Sequence, residues 1–314
     1  MAKYILKRFG QMVLVLVIIS IFAFSLVHMV PGDPVYTMLG TDITQERHDQ
    51  VWIEMGLHQP LIQQYISWVG NVLTGNFGYS YTYRSSVMEL LSNKLPITLY
   101  LGIAAAIISI ILGVGLGIVA AINRAKWQDN LLTVLANLGM ASPKFWLGII
   151  LVYLFSIKLG VANAYGFEYP WVDFTKSMRT TILPILCMSV SGFSSYIRQT
   201  RSSMLEVVSQ DYVRTARSKG LKESTIIRKH ELKNAMIPIL TLISITLRNV
   251  IAGSAVIESV FNINGMGYLM AKAIQMRDFQ VVQTILLLMG VFTCLCNLVI
   301  DIAYSYIDPR VKLQ

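Results

Sequence analysis

The sequence predicts an all-α polytopic membrane protein with six transmembrane helices and both termini in the cytoplasm. Three observations carry this. Of 314 residues, 54% are apolar and 14% charged, against about 25% charged in a typical soluble domain. The mean hydropathy is +0.58, so the chain cannot coat itself with charge. Second, residues 9–32, 95–123, 180–197 and 279–300 contain no Asp, Glu, Lys or Arg, and a helix needs about 20 apolar residues to cross the hydrocarbon core. Third, the net charge of +9 sorts by side once the spans are laid out. This composition excludes a disordered chain, a disulfide-rich secreted module and a cytosolic enzyme.

The spans follow in order. The first, 9–30, has a basic start at Lys3, Lys7 and Arg8. Its apolar run is longer than the roughly 7–15 residues of a signal peptide, and it enters Pro31-Gly32-Asp33-Pro34 with no small-x-small site. It reads as an uncleaved anchor, so residues 1–30 form the first unit. Residues 31–95 form an external segment. Leu61, Tyr65, Trp68, Val69 and Val72 repeat there at helical spacing, beside Trp52, Tyr79, Tyr81 and Tyr83. A structured loop and a surface that contacts something delivered from outside both fit it.

The core spans 96–305 and holds five more helices. The span 96–122 carries Gly113-x-x-x-Gly117, a pattern for close helix packing, here read as packing within the chain. The span 131–159 carries Lys144, which follows Pro143 where a helix can break, and Lys158 near the outer interface. Lys144 is expected to snorkel to the inner surface. The spans 181–197, 236–260 and 281–305 complete the six, Asp301 lying near the inner end of the last. Residues 306–314 are a cytoplasmic tail.

With the N-terminus inside, the inner segments carry 16 Lys/Arg and 6 Asp/Glu, and the outer ones 7 and 9. This is the positive-inside bias, and it accounts for the basic charge without nucleic acid. Nine of the 16 inner basic residues lie in 198–235, a connection too long for a turn. Asp211 begins one short helix there. Gly220 is expected to stop it, because glycine enters the left-handed region at no steric cost, and Glu223 or Ser224 begins a second helix running toward Pro238. A helix–glycine–helix of this kind suits a cytoplasmic protein partner or an anionic lipid surface.

No catalytic constellation appears. The sequence lacks a P-loop, H-E-x-x-H and G-x-S-x-G. His28, His48, His58 and His230 show no metal spacing, and Cys187, Cys294 and Cys296 lie in apolar runs. Neither a metal nor a cofactor is expected on this chain. Ionisable residues inside a membrane default to functional candidates. Arg248, Asn249, Ser254 and Glu258 in the fifth span are therefore candidates to line a polar path, an interhelical ion pair being the alternative.

Several motifs resemble a known family. Asp211-Tyr212-Val213-Arg214-Thr215-Ala216-Arg217-Ser218-Lys219-Gly220-Leu221 is similar to the cytoplasmic "EAA" loop of bacterial ABC-importer permeases, in the form of the dipeptide/oligopeptide/nickel family. Val27-His28-Met29-Val30-Pro31-Gly32-Asp33-Pro34, Gly56-Leu57-His58-Gln59-Pro60-Leu61, Gly75-Asn76-Phe77-Gly78-Tyr79-Ser80, Arg201-Ser202-Ser203-Met204-Leu205-Glu206-Val207 and Arg277-Asp278-Phe279-Gln280 extend the resemblance over nearly the whole chain. It departs from the general pattern at Arg214 and Thr215, which replace the Glu-Ala start, and at Lys233, which stands in a proline's place.

The resemblance implies a permease subunit in a bacterial cell membrane that pairs with a second, homologous permease. Two ATP-binding cassette ATPases would use ATP and Mg on the inner side, and an extracytoplasmic binding protein would deliver substrate. It makes 211–220 a coupling helix, with Arg214, Arg217 and Lys219 as charge contacts and Tyr212, Val213 and Ala216 as a packing face. Peptides are the expected substrate; nickel or a metal chelate and glutathione are alternatives within the family. A stand-alone channel or secondary transporter is the alternative of another class.

Overall fold

A computed structural model describes residues 2–29, 32–40, 42–252 and 255–307. The chain divides into two compact units, residues 1–97 with 265–314, and residues 98–264.

In the first unit, α1 (Ala2–Met29) is a long apolar helix that leaves Leu14, Ile18 and Phe22 exposed, as lipid contact requires. The short helices α2 (Pro34–Leu39) and α3 (Gln45–Glu54) follow. Asp33 caps α2 by accepting the Val35 amide at 2.8 Å, and Thr44 caps α3 by accepting the Arg47 amide. His48 ties the two helices together. Its Nε2 lies 2.9 Å from Asp33 Oδ2 and its Nδ1 2.9 Å from Asp49 Oδ1, while its ring stacks between Tyr36 and Trp52. Hydrogen bonds to Asp49 and then Asp33 hold the His48 pKa above its ordinary value.

The periodic run at 61–72 is α4 (Leu61–Leu73). It packs on α1 through Tyr65, whose hydroxyl is 2.8 Å from Ser20 Oγ, and through Phe24 against Tyr65 and Trp68. A two-residue hairpin, β1 (Tyr79–Ser80) with β2 (Ser85–Ser86), pairs Tyr79 with Ser86. The helix α5 (Val87–Ile122) then runs 36 residues, about 54 Å, and is shared between the two units.

In the second unit, Gly113 and Gly117 of α5 meet the chain itself, as the sequence predicts. A Cβ on Gly117 would lie 2.6 Å from Thr200 Cβ and 2.9 Å from the Ile197 carbonyl, and one on Gly113 would overlap Tyr196. The next helices are α6 (Trp127–Ala141) and α7 (Lys144–Leu151), the latter continued by a π-helical turn at Val152–Lys158. The single span expected at 131–159 is instead two helices bent by 105°. Pro143 forces the residue before it out of the helical region, and Ser142 is extended at φ −75°, ψ 124°.

Helix α8 (Phe174–Val208) is the most buried of the long helices. It holds α6 through Arg201, whose Nε and Nη2 donate to the two Asp129 oxygens at 2.5 and 2.9 Å. Short helices α9 (Asp211–Ser218) and α10 (Glu223–Ile226) come next, then a π-helical turn at Ile227–Glu231 and α11 (Leu232–Ala252). Where one span was expected at 236–260, α11 is followed by a separate helix, α12 (Ala255–Val260), and the run into α11 bends by 53° near Pro238.

The chain returns to the first unit with α13 (Met266–Gln275) and α14 (Phe279–Ile307). There α14 packs along α1, and Gly290 permits the approach, since a Cβ on it would lie 2.9 Å from Ile19 Cδ1. Ser80 donates a short hydrogen bond to the Asp278 carboxylate, both side chains being buried. Among the described residues four helices are long and apolar enough to cross a membrane, or six if each bent pair counts as one span.

Candidate functional site

The 211–231 segment is built as its residues dictate. Gln210 is extended, and Asp211 opens α9, where a carboxylate favours the positive end of the helix. Gly220 ends the element at φ +72°, its N–H donating to the Arg217 carbonyl at 2.9 Å. Glu223 begins α10. The expected stop and restart are therefore both present.

The direction of the α9 faces is the new information. Val213 and Ala216 are buried against Ile226, with Val207 of α8 packed on the same cluster. They thus hold α9 to its own chain. Arg217 points to Glu223 at 2.7 Å and to Glu231 at 3.1 Å. The Glu231 side chain is only 3% exposed, so this arginine neutralises a buried carboxylate inside the loop. The Asn234 amide donates to the Tyr212 hydroxyl at 3.0 Å. Exposed on α9 are Asp211, Tyr212, Arg214, Thr215 and Ser218, with the paired Arg217 also exposed, and Lys219 follows directly after the helix.

Of the polar residues named for a path, three lie among the described residues. Glu258 on α12 is fully buried and accepts the Thr98 hydroxyl at 2.6 Å. Arg248 is half-buried on α11, and Ser254 lies outside the described residues. Asn249 is exposed and lines a cavity of about 250 Å³ within the second unit. Small residues make that space: Gly102, Ala105 and Ala106 on α5, and Ser191, Gly192 and Ser195 on α8. Lys144 at the start of α7 also lines it, as do Tyr196 and Thr246, whose hydroxyls are 2.7 Å apart. Lys144 was expected to snorkel, and the cavity-lining serines carried no expectation. Their signal was the spacing of Ser191 and Ser195, four apart in a charge-free run.

The first unit holds a larger cavity of about 510 Å³, lined by Trp52, Trp68, Tyr79, Tyr81 and Gln283 among others. The external aromatic residues noted in the sequence therefore surround a real concavity.

Comparison with known proteins decides the family. The model of the binding-protein-dependent transport system inner membrane component matches residues 113–313, and the model of the N-terminal part of such membrane components matches 1–102. The chain belongs to this permease family. A Brucella ovis protein named as a peptide permease is 37% identical over 318 residues, covering all of both chains. The glutathione transport system permease protein GsiC of Escherichia coli K12 is 35% identical over 314 residues, again covering all of both. Among solved structures, an inward-facing MetNI methionine ABC transporter matches with a TM-score of 0.57 at 17% identity, over 70% of this chain and 97% of that one. At that identity the likeness speaks for the fold. The permease is thus a multi-pass, all-α membrane transport subunit, and its 198–235 loop and polar cavity both lie in the unit 98–264.

Proposed function

We propose that this permease forms half of the translocation path of an ATP-driven importer that takes up peptides into a bacterial cell. The observation that carries the reading is full-length similarity, at 37% identity, to a protein named as a peptide permease. It supports a second permease subunit, two ATPases on the inner face and an extracytoplasmic binding protein as partners. ATP and Mg²⁺ act on the ATPases; this chain binds neither. The charge partition supports an inside N-terminus, with each bent helix pair counted as one span.

In this reading α9 is the coupling helix. Its docking face is Asp211, Tyr212, Arg214, Thr215 and Lys219, which are exposed. Val213, Ala216 and Arg217 carry motion into the chain, and Gly220 fixes the turn. The candidate path residues are Asn249, which lines the cavity, and Arg248, Ser254 and Glu258 of the same span region. Proteoliposomes containing the full assembly and saturating binding protein test the reading. ATP-dependent accumulation of a labelled tripeptide is expected. Accumulation by the permease without ATPases, or none by the full assembly, refutes it.

A further inference from the structure

The cavity in the second unit has a chemical bias that the family assignment does not specify. Three side chains that can donate hydrogen bonds line it without a partner among the described residues: Lys144 Nζ, the Asn249 amide and the Ser191 hydroxyl. All three residues are at least partly exposed, so a ligand can reach them. They come from three different helices, α7, α11 and α8. No Asp or Glu lines the cavity, and Lys144 makes no ion pair with a described acid. The Lys144 backbone is held in place, its carbonyl accepting the Cys187 thiol at 3.2 Å. Tyr196 and Thr246 bond to each other and so wall the space without competing for a ligand.

We infer that this cavity is a carboxylate subsite, which takes the C-terminal carboxylate of the transported peptide at Lys144, Asn249 and Ser191. A lysine with no acid beside it attracts an anion, and hydrogen bonds from a charged donor to a carboxylate are the strong class. A volume of about 250 Å³ is below the roughly 300–1,000 Å³ of a drug-sized site. It holds a terminal residue and leaves the rest of a peptide outside. The 105° bend at Ser142–Pro143 has a role here, since it begins a new helix at Lys144 beside α8.

The inference rests on the peptide-uptake reading, and the experiment separates the two. Uptake of trialanine and of trialanine amide is measured in proteoliposomes with the full assembly, binding protein held saturating. The parent assembly is compared with Lys144→Gln, Lys144→Arg and Asn249→Ala. Lys144→Gln is expected to raise the KM for the acid about tenfold and that for the amide less than about twofold. Lys144→Arg is expected to restore most of the loss, and Asn249→Ala to show the same acid-selective effect at smaller size. No uptake by the parent refutes the peptide reading. Uptake by the parent, with acid and amide shifted equally or not at all in Lys144→Gln and Asn249→Ala, refutes the carboxylate subsite alone.

Discussion

Arg217→Ala tests how the 211–231 loop is held. Arg217 Nη2 reaches two carboxylates, Glu223 at 2.7 Å and Glu231 at 3.1 Å, whose side chains are 58% and 3% exposed. The exposed pair contributes about 0–1 kcal/mol. The buried one matters more, because removing its partner strands a charge, at about 3–5 kcal/mol in a dry site. Arg217 is itself 39% exposed, so water screens the pair and about 1–3 kcal/mol is the working figure. That is about 5- to 150-fold in the local opening equilibrium. Hydrogen exchange of the amides in 211–231 reads this directly, including the Gly220 amide that bonds to Arg217. Arg217→Ala is expected to speed exchange by that factor. Adding Glu231→Gln removes the stranded charge and is expected to recover most of the protection. Exchange in Arg217→Ala equal to the parent, or no recovery in the double variant, would refute the reasoning.

Gly220→Val places a β-branched side chain at φ +72°, a strain of about 1–2 kcal/mol; it is expected to lower peptide-stimulated ATPase activity while the permease still inserts and assembles, as seen by co-purification. His48 has its pKa raised above 6.5 by Asp49 and Asp33, so its contribution is fully present below about pH 6.5 and is lost as pH rises through the raised value. Protease cleavage in 33–54 is therefore expected to increase with pH in the parent and to be pH-independent over that window in His48→Gln. Gly117→Val meets Thr200 and Ile197 at under 3 Å, whereas Gly115 has no neighbour within 4 Å. Gly117→Val is thus expected to cost about 1–3 kcal/mol and lower the folded yield in a fluorescence size-exclusion assay, with Gly115→Val close to the parent.

Much of the fold could be read from local chemistry. Charge-free runs located the long helices because membrane insertion acts on composition. Gly220 marked the end of α9 because its conformation is a local property, and Gly113 and Gly117 signalled close packing for the same reason. The 105° bend shows the limit. Pro143 indicates a break, but its angle is set by what α6 and α7 pack against, including the Asp129–Arg201 pair, whose residues lie 72 apart. Likewise, the sequence places Val213 and Ala216 on one face of α9 but cannot say what covers it. Ile226, ten or more residues onward, does so. Lys144 shows the same limit, because its place in the sequence gives no sign of the cavity that α8 and α11 form beside it.

The 211–231 loop and the polar cavity share their supporting helices, which gives the proposed coupling a physical route. The inward face of α9 rests on Val207 at the end of α8 and on Ile226 at the entry to α11. A displacement of α9 therefore loads both helices at once. Arg217, through Glu231, binds α9 to the π-helical turn that opens directly into α11, and Met204 of α8 packs with Ala235 of α11 one layer further in. Deeper along the same two helices, Tyr196 and Thr246 join them across a 2.7 Å hydrogen bond at the cavity wall. Packed interfaces of this kind switch between arrangements more readily than they deform continuously. If the proposed coupling holds, a change in α8–α11 spacing at the loop would reach the Tyr196–Thr246 contact and, beyond it, the separation of Ser191 and Asn249. On this route the loop and the proposed subsite are two ends of one helix pair, so the proposed coupling predicts that movement at α9 would loosen the grip on a carboxylate without any residue of the loop touching the substrate.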